Sequence, residues 1–302
     1  MYVQKLQNNG LAAGLIVLAT VFIAATTLMA KSLGTDTLGP PLHALQISHG
    51  RFLFAFVAFV TVAAVLRPAL VRPHWGLHVA RTTCGWAGVT LMFASVAYIP
   101  LATATAISFL NPVFAMILAI PLLGERVGRV RWSAAVLALV GARVLLRPTP
   151  DSFEPAALLA LGAALVMGLE LIFIKKLAGR ENPFQILLVN NAVGLCIASV
   201  TVIAVWQPPT GPQWAVLAGI GFCMAIAQTC FVNAMARADA SFVAPFSYAT
   251  LVFAALYDAA FYGVRPDLVT YLGAGIILAG ALWLALREAR LKKPAPTVHT
   301  AL

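Results

Sequence analysis

Ten apolar stretches, most of them about twenty residues long, dominate this 302-residue chain. An α-helix rises about 1.5 Å per residue, so about twenty apolar residues cover the roughly 30 Å of hydrocarbon in a bilayer. Only 10% of the residues are charged, which is too few to cover a water-exposed surface. The sequence therefore predicts an all-α integral membrane protein. The predicted crossings are 11–31, 43–65, 77–98, 101–122, 131–147, 155–174, 185–206, 214–235, 241–262 and 268–286.

The basic residues predict how this bundle is oriented. Because the connections are short, consecutive helices must run antiparallel. With the N-terminus in the cytoplasm, fifteen of the twenty Lys and Arg residues lie at cytoplasmic positions, four lie on the opposite side, and Arg51 lies within the second helix. Cytoplasmic loops are enriched in Lys and Arg. We therefore expect both termini in the cytoplasm, which requires an even number of crossings.

An internal repeat divides the chain into two similar halves. With an offset of 139 residues, the stretch that begins at Gly124 can be laid over the stretch that begins at Gly263, and Asn111 falls on Thr250. Each repeat holds five crossings, so the second copy enters the membrane from the opposite side. In secondary transporters, such inverted repeats place the substrate site near the midplane, where the halves meet. The predicted units are 1–148, 149–288 and a cytoplasmic tail at 289–302.

A family pattern covers the fourth and fifth predicted helices, in the segment IPLATATAISFLNPVFAMILAIPLLGERVGRVRWSAAVLALVGARVLL. A proline lies inside the fourth helix, Gly-Glu follows it, and a glycine lies in the middle of the fifth. This pattern resembles the ten-helix EamA-type members of the drug/metabolite transporter superfamily, and most of all bacterial exporters of the YddG type. The second copy departs from it, with Gly263-Val264 in place of Gly124-Glu125, so Glu125 is not expected to be half of a symmetric coupling pair.

The resemblance implies a secondary transporter of the bacterial inner membrane that exports amino acids, aromatic or other neutral ones, and related small metabolites by alternating access. One alternative keeps the fold and changes the cargo to another metabolite, such as a nucleoside-like or sulfonium compound, moved in either direction. A second alternative is a passive channel or a membrane-embedded enzyme. An enzyme would need converging catalytic side chains, whereas the buried ionisable residues here are sparse and lie at different depths.

Several other functions have no support in the sequence. The net charge of +10 would suit nucleic-acid binding in a soluble chain, but here the basic residues lie between apolar runs. No nucleotide-binding loop is present, and the four cysteines lack metal-ligand spacing. We expect no catalytic residues, no metal, no cofactor and no nucleic acid, with a small-molecule substrate and lipid as partners. The oligomeric state stays open, a monomer being the simplest expectation.

Of the ionisable residues inside predicted crossings, where a central charge costs roughly 2.5–3.5 kcal/mol, four are candidates for a role in transport. Arg51 and Asp258 fall at similar depths, so they could form a pair that clamps the outer gate, a static ion pair, or separate contacts to a charged solute. Glu170 could take part in coupling or could extend toward the cytoplasmic surface. His49 could titrate and couple proton movement to transport, or it could be structural. These residues are the gating or coupling candidates.

A proline in the fourth crossing suggests a polar site at the midplane. Pro112 has no N–H, so it leaves the Ser108 carbonyl without its usual helical partner. The Asn111 side chain lies beside that carbonyl, and its repeat mate Thr250 has the same depth. These groups could bind a solute, or Pro112 could simply kink the helix.

Four further residues are candidates for lining a cavity. A site built from aromatic, Met and amide side chains, with few fixed charges, would suit a flat and partly apolar solute. One of the four, Trp86, could instead belong to the aromatic belt near the membrane surface. The four are Trp86, Met92, Gln228 and Tyr248.

Overall fold

The computed structural model describes residues 8–68, 70–124, 129–146, 154–177, 181–235, 237 and 246–291, and in these ranges it holds helices and no strand. Apolar composition and the Pro and Gly residues between the runs account for this pattern. The α-helices are α1 (Asn9–Gly34), α2 (Ala44–Leu66), α3 (Trp75–Val96), α4 (Leu101–Ser108), α5 (Asn111–Leu123), α6 (Arg129–Leu146), α7 (Ala157–Leu177), α8 (Pro183–Val202), α9 (Gly211–Met235), α10 (Ala249–Tyr262) and α11 (Leu268–Leu291), and a 3-10 turn, Ile203–Val205, follows α8.

Each predicted crossing coincides with a helix, and two crossings differ in detail. The fourth is divided between α4 and α5, and the ninth is described only from residue 246 onward. Among the described residues, six stretches are long and apolar enough to span a membrane: α1, α2, α4 with α5, α7, α8 with its 3-10 turn, and α9. The apolar part of α11 and the whole of α10 are shorter. Glu125 and the tail from residue 292 lie outside the described residues.

The outside of the bundle carries large apolar side chains. Ile203 is 75% exposed and Leu268 is 73% exposed, and many other Leu, Val and Phe side chains are exposed as well. Soluble monomers rarely present so much contiguous apolar surface. A surface of this kind is suited to lipid.

Helices pack across the bundle in a few close pairs. The chief contacts are α1 with α9, α3 with α7, α6 with α11, α2 with α8 and α9, and α7 with α5. Glycine permits the closest crossings, because a Cβ added at Gly168 of α7 would lie 2.9 Å from the Asn111 carbonyl oxygen. A Cβ at Gly141 of α6 would lie 2.7 Å from the Ile277 nitrogen of α11. Small residues therefore set these distances, as expected in membrane bundles.

The fourth crossing is broken at Phe109 and Leu110. Pro112 occupies the first turn of α5, where a missing N–H is tolerated. The break brings Phe109 against Tyr248, the residue before α10, with ring centroids 5.0 Å apart in an edge-to-face arrangement. The proline therefore does not simply kink one helix. It lies at a break between α4 and α5, where the start of α5 meets the start of α10.

Two glycines end α5 and α10 in the same way. Gly124 has φ 66° and Gly263 has φ 65°, a left-handed conformation that glycine adopts without strain. Both residues are C-caps and lie 139 positions apart in the sequence.

Candidate functional site

Three charged side chains from three helices form a buried cluster. Arg81 of α3 lies with its Nε 3.5 Å from Oε1 of Glu170 on α7, and the Glu170 carboxylate also interacts electrostatically with Arg51 of α2. Glu170 packs over Gly85, where an added Cβ would lie 2.9 Å from its Oε1. Glu170 therefore faces α3.

Arg51 contributes hydrogen-bond donors that have no acceptor. The residue is 4% exposed, and its guanidinium lies 4.3 Å from the centre of the Phe52 ring. Its Nε and Nη1 atoms are buried and have no hydrogen-bond partner in the described part of the chain. Buried polar groups are nearly always hydrogen-bonded, and a buried cation is costly unless it is paired. This guanidinium is therefore equipped to bind an acceptor group of a ligand.

Further buried polar atoms without a partner lie on α2, α3 and α8. Ser48 is one turn from Arg51 on α2. Trp86 and Thr90 follow Thr82 at intervals of four residues on α3, and Thr82 Oγ1 donates to Asn190 Oδ1 of α8 at 3.1 Å. These atoms lie on three helices that pack against one another, α2, α3 and α8. Besides Arg51 Nε and Nη1, the buried side-chain atoms without a hydrogen-bond partner among the described residues are Ser48 Oγ, Trp86 Nε1, Thr90 Oγ1 and Asn191 Oδ1, together with His78 Nδ1, Arg81 Nε and Arg81 Nη1.

Gln228 and Met92, both predicted to line a cavity, have different surroundings. Asn191 Nδ2 donates to Gln228 Oε1 at 3.2 Å and to the Leu187 carbonyl at 2.8 Å, so Gln228 connects α9 to the edge of the polar group. Met92 is 8% exposed and packs in the main hydrophobic core.

The midplane candidates on α4, α5 and α10 are largely satisfied within their own helices. The Ser108 hydroxyl donates to the Thr105 carbonyl at 2.7 Å, and the Thr250 hydroxyl donates to the Ser247 carbonyl at 2.8 Å. Asn111 is half-buried at the start of α5. With Tyr248 packed on Phe109, these residues form a second group where α5 meets α10.

The predicted pair of Arg51 and Asp258 is wrong, because Asp258 has another partner. Its Oδ1 lies 3.1 Å from Lys31 Nζ, and its Oδ2 accepts the Ala102 backbone N–H at 3.1 Å. Lys31 also lies 4.5 Å from the centre of the Tyr262 ring. Because α10 packs against α1 and α4, the long Lys31 side chain reaches the carboxylate.

His49 lies apart from the charged cluster. Its half-buried ring stands edge-on to Trp206, with ring centroids 6.1 Å apart. This contact fits a structural packing role near the end of α8.

A buried carboxylate at one end of the bundle was missed by sequence reasoning. Glu181, just before α8, accepts hydrogen bonds from the His74 backbone N–H at 2.8 Å, the His74 ring at 3.0 Å, the His78 ring at 2.9 Å and Gln185 at 2.7 Å. Burial alone would raise the pKa of Glu181, but the hydrogen bonds from His74 and His78 outweigh it and lower the pKa to about 2. Nothing in the local sequence signals this contact, because more than 100 residues separate its partners.

A lipid-facing helical bundle with unpaired donors buried between its helices has the architecture of a multi-pass membrane transporter. The chain belongs to the EamA-like transporter family, whose pattern matches residues 10–147 and again residues 154–286. It is therefore a transporter of the drug/metabolite superfamily that acts on a small-molecule substrate in a membrane.

Similar proteins carry different cargo names. A riboflavin transporter of Vibrio cholerae is 32% identical over 231 residues, which is 74% of this chain and 76% of that protein. An S-adenosylmethionine uptake transporter of Rickettsia bellii is 27% identical over 286 residues, or 94% of this chain and 96% of that protein. A solved crystal structure with 20% identity covers 93% of this chain with a TM-score of 0.64, which supports the fold alone. Neither named relative is an amino-acid exporter.

Proposed function

We propose that this protein is a secondary transporter with ten crossings in two inverted halves. The first half comprises α1 to α6 and the second half α7 to α11, with both termini in the cytoplasm. The proposed cytoplasmic tail, 289–302, begins in the last turn of α11. The halves rock around a site near Arg51, and the cargo is a flat heteroaromatic metabolite.

Helix ends support the division into halves. With the offset of 139, the start of α2 at Ala44 falls on the start of α8 at Pro183, and the start of α6 at Arg129 falls on the start of α11 at Leu268. The left-handed caps Gly124 and Gly263 correspond in the same way. Phe109 and Tyr248, which contact each other, are also repeat mates.

Helix packing supports the same division. In the two halves, α1 corresponds to α7, α2 to α8, α3 to α9, α4 with α5 to α10, and α6 to α11. Each contact between helices should therefore have a counterpart between their repeat mates. The α1–α9 contact has its counterpart in α7–α3, the α2–α9 contact in α8–α3, and the α1–α10 contact in the packing of α7 on α4 and α5. The α2–α8, α6–α11 and α4–α10 contacts map onto themselves. This correspondence is expected of two copies related by a two-fold axis in the membrane plane.

The observation that carries the binding proposal is the set of unpartnered donors around Arg51. Riboflavin, the cargo in the name of the Vibrio cholerae relative, has a flat ring system with carbonyl acceptors and a hydroxylated side chain. The guanidinium of Arg51, the indole N–H of Trp86 and the hydroxyls of Ser48 and Thr90 would satisfy those acceptors. Placement of this polar group between α2 and α3 of one half and α8 of the other fits a site that both halves share.

A second candidate is S-adenosylmethionine, the cargo in the name of the Rickettsia bellii relative. Its amino-acid carboxylate would bind Arg51, and its sulfonium would lie near the Glu170 carboxylate, which is 20% exposed. Aromatic amino acids rank third, since they offer a carboxylate to Arg51 but have no counterpart among the cargo names of these relatives.

A counterflow assay in proteoliposomes tests the proposal. Liposomes loaded with unlabelled riboflavin, S-adenosylmethionine or phenylalanine are diluted into the same labelled solute, with the wild type, Arg51→Met and the exposed control Arg72→Met. We expect saturable exchange of riboflavin that Arg51→Met abolishes and Arg72→Met retains. Exchange of S-adenosylmethionine or phenylalanine without exchange of riboflavin would contradict the proposed cargo and identify that solute as the cargo instead. Unsaturable flux would indicate a channel and contradict the carrier mechanism.

A further inference from the structure

A glutamine in the first turn of α2 holds the segment that follows α8. Gln46 is 1% exposed, and its Nε2 donates to the Gln207 carbonyl oxygen at 2.6 Å. The Gln207 backbone N–H donates back to Gln46 Oε1 at 3.2 Å. One side-chain amide thus satisfies both backbone groups of a single residue.

A second glutamine, in the first turn of α8, holds the segment that follows α2 in the same way. Gln185 is 1% exposed, and its Nε2 donates to the Val71 carbonyl oxygen at 3.0 Å. The Val71 backbone N–H donates to Gln185 Oε1 at 2.7 Å. Gln46 and Gln185 are 139 positions apart, and each is the third residue of its helix. The two glutamines are therefore repeat mates, and their contacts are named here the Gln46 clamp and the Gln185 clamp.

The clamps lie at opposite ends of the α2–α8 pair. Each joins the start of one helix to the residues just beyond the end of the other, so α2 and α8 run antiparallel between them. The 23 residues of α2 correspond to about 34 Å at 1.5 Å per residue, which is comparable to the thickness of a bilayer. The polar group around Arg51 lies between the two clamps.

The two ends differ in what reinforces the clamp. At the Gln185 clamp, Gln185 also donates to the buried Glu181 carboxylate at 2.7 Å, and this carboxylate binds His74 and His78. The Gln46 clamp is supported by neutral contacts, such as Gln207 Nε2 to the Pro41 carbonyl at 2.7 Å. Hydrogen bonds to a carboxylate are stronger than those between neutral groups.

We infer that Gln46 and Gln185 are reciprocal access-controlling residues, each of which closes one end of the α2–α8 pair while the site is reached from the other. This inference rests on the proposed function, since it requires two halves that rock about a shared site. Both residues act through the connecting segment that they hold, and are therefore positioning residues. The Gln185 clamp, with its buried carboxylate, is the tighter closure. On the proposed topology it faces the cytoplasm.

Site accessibility from each membrane face tests this inference without any cargo. A reporter Ser48→Cys is placed in a background in which Cys84, Cys196, Cys223 and Cys230 are replaced by Ala. An impermeant thiol reagent is then added from one face of oriented proteoliposomes at a time. Each variant also carries Gln46→Ala, Gln185→Ala or the control Thr61→Ala, whose hydroxyl bonds only within α2.

Each hydrogen bond contributes about three- to tenfold to an equilibrium constant, so losing the two bonds of one clamp should change access about tenfold or more. We expect Gln46→Ala to accelerate labelling from the face that Gln46 closes, Gln185→Ala to accelerate it from the other face, and Thr61→Ala to do neither. Equal acceleration from both faces, or unchanged labelling in folded protein, would overturn the inference. Gel filtration in detergent confirms folding, and if Gln185→Ala does not fold, Gln185→Glu, which keeps the acceptor, takes its place with the same expectation.

Failure of the inference and failure of the proposed function give different results. If riboflavin exchange depends on Arg51 but labelling is unaffected by either glutamine substitution, the proposed function is supported and the access-controlling role of Gln46 and Gln185 is contradicted. If each glutamine substitution accelerates labelling from one face but the protein does not exchange riboflavin, the access-controlling role is supported and the proposed cargo is contradicted.

Discussion

The Arg51 group and the Lys31–Asp258 pair are two buried polar regions of one bundle, and they are satisfied very differently. Asp258 is fully buried and binds both Lys31 and the Ala102 N–H, so its charge is compensated by the protein. Arg51 is nearly as buried, yet two of its donors have no acceptor among the described residues. A charge that the protein itself neutralises stabilises one arrangement of helices. Buried donors without an acceptor are instead suited to reversible binding of a ligand. The contrast separates a structural ion pair from a candidate binding site.

The largest expected effect is that of Arg51→Met on transport. Charge-assisted hydrogen bonds contribute about 1.5–3 kcal/mol each, so losing two should reduce riboflavin exchange by roughly a hundredfold or more. Thermal stability should hold or rise, because the substitution removes two buried donors that have no acceptor among the described residues. Exchange rate and melting temperature are measured on the same preparation. A protein that loses stability and transport in parallel would place Arg51 among the structural residues.

Asp258→Ala should have the largest effect on stability. It leaves Lys31 buried without its counter-charge, which costs about 3–5 kcal/mol when one partner of a buried pair is removed. The double variant Lys31→Met/Asp258→Leu should recover most of the loss, since apolar residues of similar volume often replace such pairs at little cost. Denaturation in mixed micelles measures both. A double variant as unstable as the single one would show that the pair itself is not the cause.

Gly85→Ala should have an intermediate effect on transport. The added Cβ would lie within about 3 Å of both Glu170 carboxylate oxygens, so the carboxylate must move away from α3. This shift loosens the Arg81–Glu170 pair and changes the field at Arg51. We expect a reduction of about tenfold, comparable to the loss of one hydrogen bond. Gly162→Ala serves as the control, because its Cβ would meet only a Leu91 methyl at 3.5 Å. Equal exchange rates in Gly85→Ala and Gly162→Ala would contradict a role of Glu170 in transport.

A smaller, pH-dependent effect is expected at Glu181. Its pKa in the folded protein is about 2, below the ordinary value of 4.5, so its contribution to stability is complete above pH 4.5 and is lost as the pH falls toward 2. The gap in melting temperature between wild type and Glu181→Gln should therefore shrink as the pH falls below 4.5. A gap that persists unchanged at pH 3 would contradict the carboxylate's role in this contact.

The sequence predicted the helices well because membrane helices depend on local composition. A run of apolar residues needs no distant partner to be recognised, and Gly124 and Gly263 end their helices for reasons of local backbone geometry. Pro112 likewise indicated a disturbance of the fourth crossing, interpreted either as a polar solute site or as a plain kink. The structure divides this crossing into α4 and α5.

The candidate site was predicted less well, because depth in the membrane does not specify which face of a helix a residue occupies. Arg51 and Asp258 have similar depths, but α2 and α10 are not major packing partners, so the two side chains bind elsewhere. The contact between Arg81 and Glu170 was missed for the same reason. Gln46 and Gln185 could have been found, since the offset of 139 places Gln46-Ile47 over Gln185-Ile186.

Equilibrium binding of riboflavin to the purified protein tests the central claim most directly. Quenching of riboflavin fluorescence is measured with the wild type, Arg51→Met and Arg72→Met in the same detergent. The account predicts saturable binding to the wild type and to Arg72→Met, and binding at least tenfold weaker to Arg51→Met. Equal binding to all three proteins would contradict the claim that the unpartnered donors around Arg51 hold the cargo.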